Sequence, residues 1–345
     1  MKLFLIASIF TMVGSCATTK YSTKIQTLKD NIKITDSTTI IQYANTIKAS
    51  ELKDLLYAFA GPEFEGRGTG EKGQKDAANF LKTYYQKEDI SSPINDSVYY
   101  QCIPETYFSK DINATENVLA FIKGVEKPEE VLIISAHYDH LGVKDSLVYF
   151  GADDNGSGTA ALLEIAQAFK QAETEGFSPK RSVLFMHLTA EEIGLEGSRF
   201  YTENPVFPLN ETIANLNIDM VGRVDKTHKD NPNYLYLIGA DRLSKELHLL
   251  SEKVNETFYN LTLDYKYNDE DDVNKYYSRS DHFNFAKHNI PVIFYFNGVH
   301  EDYHKSTDTA EKINYELLEK RAKLIFATAW QLANRQNRLF LNESM

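Results

Sequence analysis

The chain has 345 residues, 42% of them hydrophobic and 25% charged, which is ordinary globular composition and long enough for one large domain or two small ones. Its formal net charge is −12. With no run of Lys and Arg to form a basic face, this balance argues against a nucleic-acid partner.

Residues 1–15 read as an export signal. Lys2 gives the positive start and Leu3 to Val13 the apolar centre, a run shorter than the roughly 20 residues a membrane-spanning helix needs. The tail "VGSC" resembles a bacterial lipoprotein box, so Cys16 is expected to carry lipid and anchor an exported protein in the cell envelope. A plain signal peptide with a stray cysteine is the alternative. Lipidation would leave Cys102 as the remaining thiol, with no disulfide inside the mature chain. Residues 16–40, rich in Thr, Ser and Lys, read as a tether, and residues 41–345 as a single domain.

Leu52, Leu55, Leu56 and Phe59 follow helical spacing. "GPEFEGRGTGEKG" (61–73) then breaks the helix. It is phosphate-loop-like only on the surface, because Gln74 and Lys75 stand where Lys-Ser/Thr is required and no strand precedes it. Ala77, Phe80, Leu81 and Tyr84 mark the next helix. From there strands ("NVLAFIKG", "VLIISAH", "SVLFMHLTA", "IANLNIDMVG", "YLYLIGA", "PVIFYFNG") alternate with amphipathic helices (158–172, 195–204, 242–258, 314–335). Continuous apolar strands between such helices predict an α/β domain with a mixed, mostly parallel central sheet covered on both faces. The acidic run 268–277 reads as a surface loop; it lacks the spacing of a helix-loop-helix calcium site.

In such a sheet functional groups gather beyond the carboxyl ends of the strands. His137, Asp139 and His140 end one strand, and Asp153 and Asp154 precede a helix start. Glu191 and Glu192 end a second strand, Asp219 a third, and His300, Asp302, Tyr303 and His304 follow a fourth. Singly, each has an ordinary explanation as a packed histidine, a solvated acid or a cap. Together they would concentrate negative charge on one sheet edge, which a divalent cation would neutralise. Histidine and carboxylate donors without a cysteine pair suit zinc. H-E-x-x-H is absent, so the ligands must come from separate strands. Two ions sharing a carboxylate would use two His and three acids, leaving one acid free as a base.

The ordered series "AHYDHLG", "GADDNGSG", "TAEEIGLEGS", "NIDMVGR" and "DYHKSTDT", within Glu63 to Asp308, resembles the co-catalytic di-zinc metallo-aminopeptidases. That group includes secreted bacterial leucyl-type enzymes, with glutamate carboxypeptidases and glutaminyl cyclases as relatives. The resemblance implies a zinc-exopeptidase-like domain with two zinc ions and a peptide substrate. It implies that His137 and Asp219 hold one ion, Glu192 and His304 the other, and Asp153 bridges them, with a cis Asp153–Asp154 bond and Asp154 in support. By the same resemblance Asp139 orients His137, Glu191 is the general base and Tyr303 donates to the developing oxyanion. His140 and His300 are competing ligands ranked lower, and His282 lies where the family walls its cleft or else simply packs. No long insertion separates Lys87 from Val118, so an added lid domain is not expected. The expected activity is that of an exported aminopeptidase. The alternatives are a carboxypeptidase or dipeptidase using Arg223 or Arg279, a glutaminyl cyclase, or a non-catalytic binding domain. The sequence specifies no oligomeric state.

Overall fold

The computed structural model describes residues 23–342 other than 96 and 110. The expected signal and Cys16 lie outside the described residues. In chain order the elements are α1 (Ser37–Ala44), α2 (Ala49–Phe59), α3 (Lys72–Lys87), β1 (Tyr100–Ile103), β2 (Thr115–Ile122), β3 (Lys127–His137), the small hairpin β4 (Val143–Lys144) and β5 (Leu147–Val148), and α4 (Gly158–Thr174). There follow β6 (Arg181–Leu188), α5 (Glu196–Glu203), β7 (Thr212–Ile218), β8 (Tyr234–Ile238), α6 (Lys245–Phe258), β9 (Thr262–Asp264), α7 (His282–Ala286), β10 (Val292–Phe296) and α8 (Tyr315–Asn334).

Eight strands form one sheet in the order β1-β2-β6-β3-β7-β10-β8-β9. The four central strands β6, β3, β7 and β10 run parallel, while β1, β2 and β8 pair antiparallel with their inner neighbours. Strand alternation divides the core. In β3, Leu132 and Ile134 face the larger cluster beneath α4 and α8, whereas Val131 and Ile133 face a second cluster with Leu184, Met186 and Phe285. Both faces are therefore covered, and this is why the central strands read as unbroken apolar runs. Each such fully buried aliphatic side chain contributes about 1.5–3 kcal/mol relative to an exposed one. The Asn314 and Ser244 side chains cap α8 and α6 by accepting from Leu317 N and Leu247 N.

The domain begins before residue 41. Ile40 in α1 is buried, Ile32 and Ile34 pack against the main core, and the Thr35 carbonyl accepts from Gln331 Nε2 at 2.7 Å. Isolated isoleucines in a Ser/Thr/Lys-rich stretch anchor what composition alone marks as a tether. The edge strands β1 and β9 were too short to show a pattern. Among the described residues no helix is long and apolar enough to cross a membrane.

Loop 61–73 has a structural role. Arg67 is fully buried and donates to four carbonyls: Tyr138 at 2.8 Å, Phe59 at 3.2 Å, Phe150 at 2.8 Å and Gly151 at 2.8 Å. It thus ties the loop after β3 and the turn before α4 to α2.

Candidate metal and catalytic site

The parallel strands β6, β3, β7 and β10 are neighbours, so their carboxyl ends share one edge. Leaving them, the chain turns sharply: Ala190, Met220 and His304 all have positive φ, at 58°, 59° and 56°. The turn between β5 and α4 brings the GADD segment to the same edge. Gly151, at φ 53°, has no room for a side chain; a Cβ there would lie 2.5 Å from the His140 ring and 2.2 Å from the Asp154 carbonyl. Asn155 locks the turn to β7, donating to the Ile218 carbonyl at 2.8 Å and accepting from Met220 N at 3.1 Å.

Two groups of metal-type ligands result, His137 with Glu191 and Asp219, and His140 with Asp154 and Glu192. Asp154 stands between them. Its Oδ1 is 3.4 Å from His137 Nε2, and its Oδ2 is 3.1 Å from His304 Nε2. His137 Nε2 is also 3.3 Å from Asp219 Oδ1, and His304 Nε2 is 3.3 Å from Glu192 Oε2. His140 Nδ1 meets Glu192 Oε1 at 2.7 Å. The structure therefore brings His137, Glu191, Glu192, Asp219 and His304 together.

Asp153 departs from its expected place. Its carboxylate points away from the cluster and is saturated, with Oδ1 accepting from Gly222 N (2.7 Å) and Ser157 Oγ (2.9 Å). Oδ2 accepts from Asn297 Nδ2 at 3.0 Å and meets His300 Nε2 at 3.1 Å. The carboxylate that faces both His137 and His304 is that of the next residue, Asp154, and the cis bond is Asp154–Asn155 rather than Asp153–Asp154. Adjacent side chains leave the turn in different directions. Long-range donors from the segments after β7 and β10 decide which acid faces the histidines. His300 is consumed by Asp153 and takes no part in the cluster.

The donor set fits a cation. His137 Nδ1 lies 3.1 Å from the Asp139 carbonyl, which can only accept, so Nδ1 bears hydrogen and Nε2 faces Asp154 and Asp219. A neutral imidazole would meet those carboxylates lone pair to lone pair. A positive charge between them is required, either the proton of an imidazolium or a metal ion. Burial opposes protonation, but Asp219 and Glu191 lift His137 well above the ordinary histidine range when only protons compete. Burial also opposes charge on His304, which Asp154 and Glu192 nonetheless raise to about 10. Asp154 Oδ2 is buried without a hydrogen-bond partner despite the nearby His304, an orphan that a metal ion would satisfy. Nitrogen and carboxylate donors without thiolate match zinc chemistry.

Burial pushes Glu191 well above the ordinary carboxyl range, and Asp219, Glu192 and Asp281 add to the rise while His137 opposes it. Asp139 holds this neighbourhood: its Oδ1 accepts from Glu191 N at 3.1 Å and its Oδ2 from Thr69 Oγ1 at 2.7 Å. Toward His137 the Asp139 carbonyl is the nearer group, since its carboxylate Oδ1 lies 3.7 Å from Nδ1. Tyr303 stacks on His304 with ring centroids 3.8 Å apart, and both line a cleft with Asp154, Glu191 and Asp219. His282 does not wall that cleft; it is fully buried, stacks on Phe294 at 4.9 Å and is pushed down to about 3 by burial.

Sequence reasoning passed over Ser280, whose Oγ donates to Asp219 Oδ2 at 2.6 Å, and Asp281, which is buried with neither carboxylate oxygen hydrogen-bonded. Both lie in "SRSDHFNF", between the Arg279 and His282 that the sequence does single out.

Fold and site together define an α/β domain with a carboxylate-and-histidine metal centre beyond its parallel strands. The chain belongs to peptidase family M28, whose model matches residues 117–329. A probable glutamate carboxypeptidase, LAMP1, of Arabidopsis thaliana is 36% identical over 118 residues, covering 34% of this chain and 16% of that protein. Aminopeptidase YwaD of Bacillus subtilis is 26% identical over 233 residues, covering 63% of this chain and 45% of its own. The chain thus spans less than half the length of either. The crystal structure of Legionella pneumophila LapA aminopeptidase shares the fold with a TM-score of 0.69 at 20% identity, over 88% of this chain and 77% of that one.

Proposed function

We propose that this chain is a zinc-dependent aminopeptidase that removes N-terminal residues from peptides. The observation that carries this reading is the Asp154 carboxylate, one oxygen toward His137 and the other toward His304. His137 and Asp219 would hold one zinc ion, Glu192 and His304 a second, and Asp154 would be common to both. Zinc bound there supplies Lewis acidity, lowering the pKa of water and polarising the scissile carbonyl.

The chain's own residues do the rest. Glu191 accepts a proton from the attacking water as the new C–O bond forms. It delivers that proton to the leaving amine as the C–N bond breaks. A carboxyl group raised by burial and by neighbouring acids suits both halves of that exchange. Tyr303, which lines the cleft beside His304, would donate its hydroxyl hydrogen to the oxyanion, and Asp139 would act as a positioning residue for Glu191 and His137. Arg223 is not available to receive a substrate carboxylate, because its Nη2 is 3.0 Å from Asp302 Oδ2.

The test is hydrolysis of a leucyl arylamide by the zinc-loaded protein, with elemental analysis. Two zinc ions per chain, activity lost to a chelator and regained with zinc support the reading. Inactivity of the fully loaded protein, or activity indifferent to chelation, overturns it.

The chain is further proposed to be exported and held at a membrane surface through lipid on Cys16, a reading supported by Lys2, the apolar run to Val13 and the "VGSC" tail. Labelled fatty acid should enter the wild-type protein in a bacterial host and fail to enter Cys16→Ala.

A further inference from the structure

Arg279 stands apart from the other charged groups of the cleft. It is exposed, and no carboxylate of the described residues lies within 4.0 Å of its guanidinium. The acidic loop just upstream does not neutralise it. Asp272, for example, turns inward to accept from Tyr276 N at 3.0 Å and Asn274 N at 3.1 Å. Its guanidinium is instead held by neutral aromatic groups, with Cζ 4.9 Å from the Tyr276 ring centroid and Nη2 3.5 Å from the Tyr303 hydroxyl. Stacking on an aromatic face orients the planar fork and leaves its N–H edges available.

This guanidinium lies at the reacting centre. Arg279 precedes Ser280, which donates to Asp219 Oδ2 at 2.6 Å, so its backbone is tied to the acid cluster. On the other side the Tyr303 hydroxyl meets the guanidinium while its ring stacks on His304. Arg279 shares with Asp154, Glu191 and Asp219 the lining of one cleft. Elsewhere those acids repel an anion; at Arg279 a carboxylate finds a bidentate partner.

We propose that Arg279 is a specificity-determining residue that binds a carboxylate of the substrate, making the preferred substrates short peptides with a free α-carboxylate or an acidic N-terminal side chain. This rests on the peptidase reading and deepens it. The test uses zinc-loaded protein carrying Glu191→Gln, so that ligands bind without turnover, titrated calorimetrically with Leu-Gly, Leu-Gly-amide and Glu-Gly-amide. Leu-Gly or Glu-Gly-amide should bind about tenfold or more tightly than Leu-Gly-amide; which one gains identifies the source of the carboxylate. Adding Arg279→Gln should erase that preference, and Arg279→Lys should restore part of it. Equal affinity for all three peptides, a preference that survives Arg279→Gln, or no binding of any peptide overturns the proposal. Hydrolysis of Leu-Gly and of Glu-Gly-amide, each of which offers Arg279 a carboxylate, by the zinc-loaded wild-type protein separates the two readings. Turnover without a carboxylate preference overturns only the role of Arg279, whereas a carboxylate preference without turnover overturns the peptidase reading and keeps the anion site.

Discussion

The backbone N–H of Glu191 donates to Asp139 Oδ1 at 3.1 Å, which links the end of β6 to the loop after β3 across the strand boundary that also carries His137. An amide at position 139 keeps the shape and can still accept from that N–H, but it removes the negative charge beside His137 and Glu191. Asp139→Asn is expected to lower kcat by about 10–100-fold. KM and zinc content should stay near wild type. A change confined to thermal stability, with kcat intact, would remove Asp139 from its positioning role.

Glu191 itself has a sharper expectation. Glu191→Gln preserves volume and cannot carry a proton to the leaving amine. Turnover of a leucyl arylamide should fall by about 10²–10⁴-fold, while elemental analysis still finds two zinc ions per chain. Loss of zinc in parallel with activity would instead make Glu191 a ligand beside His137 and Asp219, with which it forms a group of metal-type donors.

The sheet was legible because β3, β6, β7 and β10 are buried on both faces and so carry unbroken apolar runs. Their ends located the candidate residues for the same reason. The choice between Asp153 and Asp154 was not legible. Both are acids in one turn, and their directions are set by Gly222, Asn297, His300 and Asp308, between 69 and 155 residues away in sequence. Arg67 was hidden for a similar reason: three of its four carbonyl partners lie 71 to 84 residues away and leave no periodic trace.

That pair of acids separates experimentally. Asp154→Asn should reduce zinc to one ion or fewer per chain and activity by about 100-fold or more. Asp153→Asn keeps one acceptor oxygen but turns an NH2 toward groups that the second carboxylate oxygen satisfied, without touching the cluster. It should retain zinc and lose about 2–4 kcal/mol of stability, read from denaturant unfolding. The reverse pattern would return the bridging role to Asp153.

Arg67 offers a test of what holds the site's two turns together. Burial lowers its pKa to about 10, with Asp154, Asp308, Asp139 and Glu192 opposing that fall, so it stays charged at neutral pH. Arg67→Met strands four buried carbonyls and should destabilise the domain by about 3 kcal/mol or more. A denaturant midpoint within error of wild type would contradict this.

Stability should also depend on pH through Glu164, a buried residue of α4. Burial first, and then the neighbouring Glu51, raises its carboxyl from 4.5 to about 8, with a backbone contact from Lys48 opposing. Its Oε2 has no hydrogen-bond partner. A folded pKa above the unfolded one means that the fold favours the protonated form. The contribution is fully present below pH 4.5 and is lost progressively as pH rises through about 8. Glu164→Gln fixes the side chain in its neutral form. The variant should melt close to wild type at pH 5 and a few degrees, about 2–4 °C or more, above it at pH 9. Comparing the two zinc-loaded proteins at each pH cancels the titration of the metal-site carboxylates, which they share. Parallel melting curves across that range would show that Glu164 ionises at its ordinary pKa and carries no such penalty.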